Sequence, residues 1–502
     1  MDRAVGLFSF LGGAQRIVTR TNAYDRLKWH ENRGMLILYF FISIIFVGQI
    51  LNGYDGTILS GLQALDKWNE DLGYPISSGI GILNAISYMT GICAGPVASV
   101  IADKWGRRWC LRLYGITMCV GTVLGCLAGL ETVNGFALFV ISKGIIGLAS
   151  FMMTGQIVLQ EITHPRNRPV IAALLCQNSY SLDIAVNWTI GVVMASWTVF
   201  GTSHISSSWS WRVPYMIQLL PAAYILTAVQ FLPETPRFLI AQGREDDAKD
   251  FLIRYHANGD AKDELIQLEF EEMKASIELE KAARAEKWSN ILAMKGNKHR
   301  LFLAGLMTFL PQMNSSAIFD FYYTVVLKLV GITKDSTITG IASGLSMSSL
   351  VAQVAGVLTL KRCRRRPMVL YTWPYIIVCL VGMTTCGAMF EKSNETNRHA
   401  GIASVAMVWL VKIPSGFTTP LFYSYPAEIL TYSIRGKGMA VWNTVNQALG
   451  CYSAYVNSVA LDAMGWKYYC VYIPILCVQW VLAYLFMVET YGYTLEEIAT
   501  SL

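Results

Sequence analysis

Ser99-Val100-Ile101-Ala102-Asp103-Lys104-Trp105-Gly106-Arg107-Arg108 and Gly356-Val357-Leu358-Thr359-Leu360-Lys361-Arg362-Cys363-Arg364-Arg365 read as two copies of one sign, 257 residues apart (360 − 103). Each follows a long apolar run and precedes another. Two further echoes keep nearly the same distance. Glu161 followed by Arg168 returns as Glu428 followed by Arg435, and Pro233-Glu234-Thr235 returns as Val488-Glu489-Thr490. A chain whose second half repeats its first is the simplest reading, because independent signs seldom recur in the same order at one spacing.

Composition places both halves in lipid. Of 502 residues, 54% are hydrophobic and 15% charged, against roughly 25% charged in a soluble domain. Apolar runs near 35–51, 78–100, 110–130, 136–158, 170–196 and 214–232 fill the first half. Runs near 301–328, 337–360, 368–390, 401–425, 440–462 and 470–488 fill the second. Each reaches the roughly 17–25 residues that a helix needs across the hydrocarbon core. The expected architecture is an all-α integral membrane protein with twelve transmembrane helices in two homologous six-helix halves, 35–236 and 301–488. A segment 1–34 precedes them, a linker 237–300 joins them, and a segment 489–502 follows.

Orientation follows from cations in short loops. Lys104, Arg107, Arg108 and Arg112 lie between spans 2 and 3, and Lys361 to Arg366 lies between spans 8 and 9. These loops are therefore expected in the cytoplasm, with both termini, and the polar, basic first 33 residues show no cleavable signal. The net charge of +6 then reports topology, not nucleic-acid binding. The eleven Cys are scattered without Cys-x-x-Cys or Cys/His clusters, so neither a disulfide framework nor a metal site is suggested. In the linker, Glu264 to Glu286 reads as a charged helix with Leu268, Phe270, Met273 and Ile277 on one side. No phosphate loop, metal-binding His pair or nucleophile elbow stands in a suitable context, so an enzyme is not expected and no cofactor is implied.

Together these signs, with Trp211-Arg212-Val213-Pro214, Pro233-Glu234-Thr235-Pro236-Arg237 and Val488-Glu489-Thr490-Tyr491-Gly492, resemble the sugar porter family of the major facilitator superfamily. Asn52-Gly53-Tyr54-Asp55-Gly56, the run Thr419 to Leu430 and Arg435-Gly436-Lys437-Gly438 are similar to its fungal lactose and cellodextrin permease branch. The resemblance covers nearly the whole chain in order. It implies a secondary transporter of a sugar or glycoside, working by alternating access at a plasma membrane, with protons as a co-substrate and a monomer as the functional unit. An exporter or facilitator of a specialised metabolite, or a non-transporting sugar sensor, is the alternative.

The duplicated loops have a physical use. Asp103 can accept hydrogen bonds from a neighbouring helix's terminal N–H groups. Arg107 and Arg108, echoed by Arg364 and Arg365, can reach a carboxylate of the adjoining helix bundle through charge-assisted bonds, links that would hold the halves closed on the cytoplasmic side. Glu161 with Arg168, Glu428 with Arg435, Glu234 with Arg237, and Glu489 complete a candidate cytoplasmic gate. In this alignment Leu360 stands where Asp103 stands, so the gate is expected to be weaker in the second half.

Charges inside the spans are costly and usually functional, at about 2.5 kcal/mol or more each on insertion scales. They are Asp55, Lys143, Asp183, Asp320 and Lys412. By resemblance Asp55 is the proton-binding carboxylate and Lys143 its partner, although the family carries Arg at that place, and Lys can itself lose a proton when buried. Asp183, Asp320 and Lys412 either line the pathway or pair with one another. Sugar hydroxyls need amides and aromatic faces, which selects Gln177, Gln312, Asn314, Tyr322, Tyr323, Tyr423, Asn443, Asn446 and Gln447 as substrate candidates. Span 7 departs from the family here, since Met313, Ser316 and Ile318 replace its second Gln, Gly and later Asn. Asn394-Glu395-Thr396 is a glycosylation sequon in a loop expected outside.

Overall fold

The computed structural model describes residues 33–129, 134–153, 155–163, 181–329, 331–360, 362–393 and 398–492. All regular structure among them is helical. The first half contains α1 (Arg33–Leu62), the short α2 (Asp66–Asp71), α3 (Ser77–Lys104), α4 (Arg107–Cys126), α5 (Gly135–Met152), α6 (Gly155–Ile162), α7 (Ser181–Thr202), α8 (Trp209–Ile217) and α9 (Leu219–Ala228). The linker forms α10 (Pro236–Ala241), α11 (Glu245–Tyr255), α12 (Glu264–Ala285) and α13 (Trp288–Ala293). The second half contains α14 (Lys295–Gln312), α15 (Ser316–Leu329), α16 (Asp335–Leu360), α17 (Arg365–Lys392), α18 (Arg398–Ile429), α19 (Tyr432–Met464) and α20 (Tyr469–Phe486). Eight stretches among the described residues are long and apolar enough to cross a membrane, the last of them, Ile434–Phe486, holding most of α19 and all of α20.

Local chemistry sets the breaks. Asn134 caps α5 by accepting the Ala137 N–H at 3.1 Å, which satisfies one of the orphan donors of a first turn. Gly106, with φ +98°, reverses the chain between α3 and α4 in a conformation that a Cβ would oppose. The helix of span 7 is interrupted at Met313–Ser315, just after Pro311, and Tyr322 makes a further kink with φ −132° and ψ 23°. Asn314 sits in that break, its Oδ1 accepting the Ser316 N–H at 3.3 Å.

Two large hydrophobic clusters hold the molecule, and a small third one packs Ala64 against Tyr323, Leu327, Ile338 and Ala342. The first, around Trp68, Tyr114, Phe139, Trp211 and Tyr215, draws only on residues between Leu38 and Ile277. The second, around Phe319, Tyr322, Trp373, Phe422 and Tyr425, draws on residues between Ile291 and Met487. The linker packs on the first cluster, with Phe270, Met273 and Ile277 buried as expected and Ile266 in place of Leu268, which is only half-buried. Helices α1 and α7 approach so closely that a Cβ on Gly53 would meet the Trp188 carbonyl and one on Gly191 the Ile50 carbonyl. Small residues permit this approach where lipid offers no hydrophobic drive to helix pairing.

The halves meet through bonds at the end away from the basic loops. The Asp66 N–H donates to Asp335 Oδ2 (3.1 Å), Thr324 Oγ1 to the Ser60 carbonyl (3.1 Å), Ser458 Oγ to the Ser77 carbonyl (2.6 Å) and Ser343 Oγ to the Ser196 carbonyl (3.0 Å). Deeper in, Asn84 Nδ2 donates to Tyr322 Oη at 3.1 Å and Thr189 donates to Gln353 Oε1.

Candidate functional site

Helix α1 runs on to Leu62, so Asp55 lies well inside it and not at its end. Lys143 of α5 points at it, with Nζ 2.8 Å from Asp55 Oδ1 and 3.2 Å from the Asp55 carbonyl. The two side chains are 9% and 3% exposed, and the Lys143 ammonium also lies over the Tyr215 ring at 5.6 Å. The expected pair is thus formed and closed off from solvent. Tyr114 donates to Asn52 Oδ1 at 3.0 Å and to the Gly48 carbonyl at 3.1 Å one turn away, so the polar groups around the pair are themselves bonded, as low-dielectric surroundings require.

The loop networks are built alike in the two halves. Arg107 bonds Glu161 at 3.0 Å and the Ala102 carbonyl at 2.9 Å, and Glu161 accepts Thr235 Oγ1 at 2.5 Å. Arg365 bonds Glu428 at 3.4 Å and the Leu360 carbonyl at 2.8 Å, and Glu428 accepts Thr490 Oγ1 at 2.6 Å. Arg108 donates to the Val229 carbonyl at 3.2 Å, and Arg366 to the Tyr484 carbonyl at 2.6 Å.

The geometry corrects the alignment of the two copies by one residue. Arg365, not Arg364, is the counterpart of Arg107, because both open a helix and bond the same partners. Position 361, a lysine outside the described residues, therefore corresponds to Asp103 in place of Leu360, and Arg364, exposed at its helix N-cap, corresponds to Gly106. A contact pattern reveals this register and a sequence match cannot, since runs of Arg align equally well either way.

Every bond just named joins helices within one half. Asp103 stands 4.0 Å from Arg107 and is 40% exposed. Glu489 accepts the backbone N–H groups of Arg365 (2.9 Å) and Arg366 (3.2 Å), and Glu234 faces those of Arg107 and Arg108. A Cβ at Gly106 would lie 2.6 Å from the Glu234 carboxyl carbon. Burial pushes the Glu234 carboxyl above its ordinary 4.5, against the pull of these N–H groups and guanidinium groups. Arg237 turns to the linker, bonding Ser276 (2.5 Å) and Glu280 (3.0 Å) of α12, and Arg435 donates to the Ala427 carbonyl at 2.8 Å.

Among the substrate candidates, Gln312 donates to Asn446 Oδ1 at 3.0 Å, tying α14 to α19. Asn314 is buried and reaches Ser415 at 3.4 Å. Tyr322 is buried at the junction of the halves, donating to the Ala454 carbonyl. Tyr323 packs in an apolar cluster with Leu327 and Ile338. Tyr423 stands edge-on to Trp442 with ring centres 5.7 Å apart, and Asn443, Asn446 and Gln447 are half-buried on α19. Asp320 of α15 pairs with Lys412 of α18. Sequence reading missed Tyr88 of α3, which lies within electrostatic range of Asp320, Tyr322 and Tyr423; nothing distinguishes a Tyr in an apolar run until its neighbours are known. Gln177, Arg168 and Asn394 lie outside the described residues, and so does the side chain of Asp183.

The family model described as "Sugar (and other) transporter" matches residues 41–502. The chain belongs to this sugar transporter family. Among its relatives, the hexose transporter HXT11 of Saccharomyces cerevisiae is 25% identical over 91% of this chain and 81% of its own length. A low-affinity glucose transporter of Kluyveromyces lactis is 25% identical over 92% and 82%. The fold is similar to that of the Escherichia coli xylose transporter XylE in a partially occluded inward-open conformation, with a TM-score of 0.71 at 15% identity over 91% of this chain and 99% of that one. The chain thus belongs to a family of multi-pass sugar and other transporters, which are not enzymes, and shares the fold of XylE.

Proposed function

We propose that this sugar transporter imports a sugar or glycoside with protons across the plasma membrane, through twelve spans with both termini in the cytoplasm. Helix is present at each of the twelve expected positions, which supports the count. The observation that carries the coupling is the Asp55–Lys143 pair, a carboxylate and an ammonium sealed between spans 1 and 4. Rocking of the halves about a central site opens this pair to one side of the membrane and then to the other. The bonds joining the halves at the end away from the basic loops support an inward-facing state. The loop networks around Arg107 and Arg365 then brace each half from within, and their partners are exchanged as the cytoplasmic side closes. The relatives are named for hexoses and glucose, and the structural neighbour for xylose, so a monosaccharide or a glycoside of the lactose and cellodextrin type is the substrate class, held by amides and tyrosines of spans 7, 10 and 11.

The test is uptake of labelled mono- and disaccharides by cells lacking their own sugar carriers, with and without an uncoupler. Proton-linked import predicts accumulation that the uncoupler collapses and that Asp55→Asn makes independent of external pH. Accumulation that survives the uncoupler, or an Asp55→Asn variant with the full pH dependence, refutes the coupling.

A further inference from the structure

The two intramembrane ion pairs are counterparts. Asp55 to Asp320 is a shift of 265 residues and Lys143 to Lys412 a shift of 269, on either side of the 267 that separates Glu161 from Glu428. Each pair joins the first helix of its half to the fourth, through α1 and α5 in one case and α15 and α18 in the other. An acid and a base thus link the first and fourth helices in both halves.

Their exposure is opposite. The first pair is 9% and 3% exposed, whereas Asp320 is 50% exposed and Lys412 13%. A half-exposed charge facing hydrocarbon is costly, and Tyr88 of α3 and Tyr423 of α18, from opposite halves, lie within electrostatic range of Asp320, so its open side is assigned to the space between the halves. Lys412 bonds Asp320 Oδ1, which leaves Oδ2 as a charge-bearing acceptor with Tyr88 and Tyr423 in electrostatic range.

We propose that Asp320, held by Lys412, is a substrate-binding carboxylate that accepts hydroxyl hydrogens of a neutral polyhydroxylated ligand. The inference deepens the sugar-transport reading and rests on it. Pairing decides the class: a lone carboxylate would select a cation, but one neutralised by an ammonium offers strong acceptor lone pairs without net charge. An amino sugar would bring a second ammonium to a carboxylate that Lys412 already neutralises, and a sugar acid a second carboxylate to that ammonium. Neutral hydroxyls displace nothing.

The experiment measures ligand-induced thermal stabilisation of the purified full-length protein with D-glucose, D-xylose, lactose, cellobiose, D-glucosamine and D-glucuronate. One or more neutral sugars are expected to bind and the two charged ones not. Asp320→Asn is expected to weaken the neutral ligand about 10- to 100-fold, the share of a hydrogen bond to a charged group, with the double variant Asp320→Asn/Lys412→Gln as the control free of an unpaired ammonium. The exchanged pair Asp320→Lys/Lys412→Asp separates the roles, because a merely structural bridge is restored by exchange and a ligand contact is not. Unchanged affinity in the Asn variants, or full rescue by exchange, overturns the inference and leaves sugar transport standing. Preference for a charged sugar overturns it too. Binding of none of the six by the folded wild type overturns both readings.

Discussion

Removing one member of the Asp55–Lys143 pair is the sharpest perturbation the structure offers. Lys143 Nζ lies 2.8 Å from Oδ1, and neither side chain is more than 9% exposed. Lys143→Met leaves a buried carboxylate without its cation, and Asp55→Asn leaves a buried ammonium facing an amide. Breaking a buried pair costs about 3–5 kcal/mol, whereas replacing both members by neutral groups is often close to neutral. For a unit the size of one six-helix half, such a loss lowers the melting midpoint by about 6–20 °C. Asp55→Asn/Lys143→Met is expected to recover most of it, with a coupling energy above about 2 kcal/mol. Fluorescence-detected unfolding of the four proteins in one detergent measures the cycle. Additive losses would refute the reasoning, since they would mean that each side chain is stabilised by groups other than its partner.

Three further outcomes are expected. Gly53→Ala drives a methyl into the Trp188 carbonyl and should cost about 1–3 kcal/mol through separation of α1 from α7, read as a lower melting midpoint; an unchanged midpoint would count against the close crossing. Gly106→Ala should cost about 1–3 kcal/mol from a positive-φ extended backbone (φ +98°, ψ 168°) that is essentially confined to glycine, plus the collision with Glu234, and adding Glu234→Ala should return only the collision's share. Glu234 also carries a pH signature. Its carboxyl is raised above 4.5 by burial, so the folded protein holds that proton where the unfolded chain has lost it, and stability falls with rising pH from 4.5 to the raised value and then levels. The wild-type midpoint minus that of Glu234→Gln, scanned from about pH 4 to about pH 8, should show this slope, and a flat difference would remove the carboxyl's role.

Much of the fold was legible because lipid imposes it. A helix is the structure that satisfies every backbone group without water, so length and apolarity of each run determined the helices, and the duplicated loops announced two halves. Asp55 and Lys143 were legible as charges because ionisable residues in apolar runs are few, and as partners through the family resemblance. Their contact is the expected one, whereas the Arg107–Glu161 bond lies within one half and not between the halves. The register of the second loop was not legible, since Arg364, Arg365 and Arg366 are chemically alike and only the contacts of Arg365 distinguish it. Tyr322 and Asn314 were legible as polar groups in span 7, but the sequence did not show that one bonds across the halves and the other caps a helix break.

By itself the sequence determined what each segment must do toward lipid and water: cross, turn, or remain at the basic end. Those are local balances of desolvation and backbone bonding, settled within some twenty residues. Only the tertiary structure decided that one Asp–Lys pair is sealed and its counterpart is open. That difference depends on how α3, α15 and α18 meet around Asp320, and burial at a helix junction is a property of several elements at once, which no single stretch of the chain encodes.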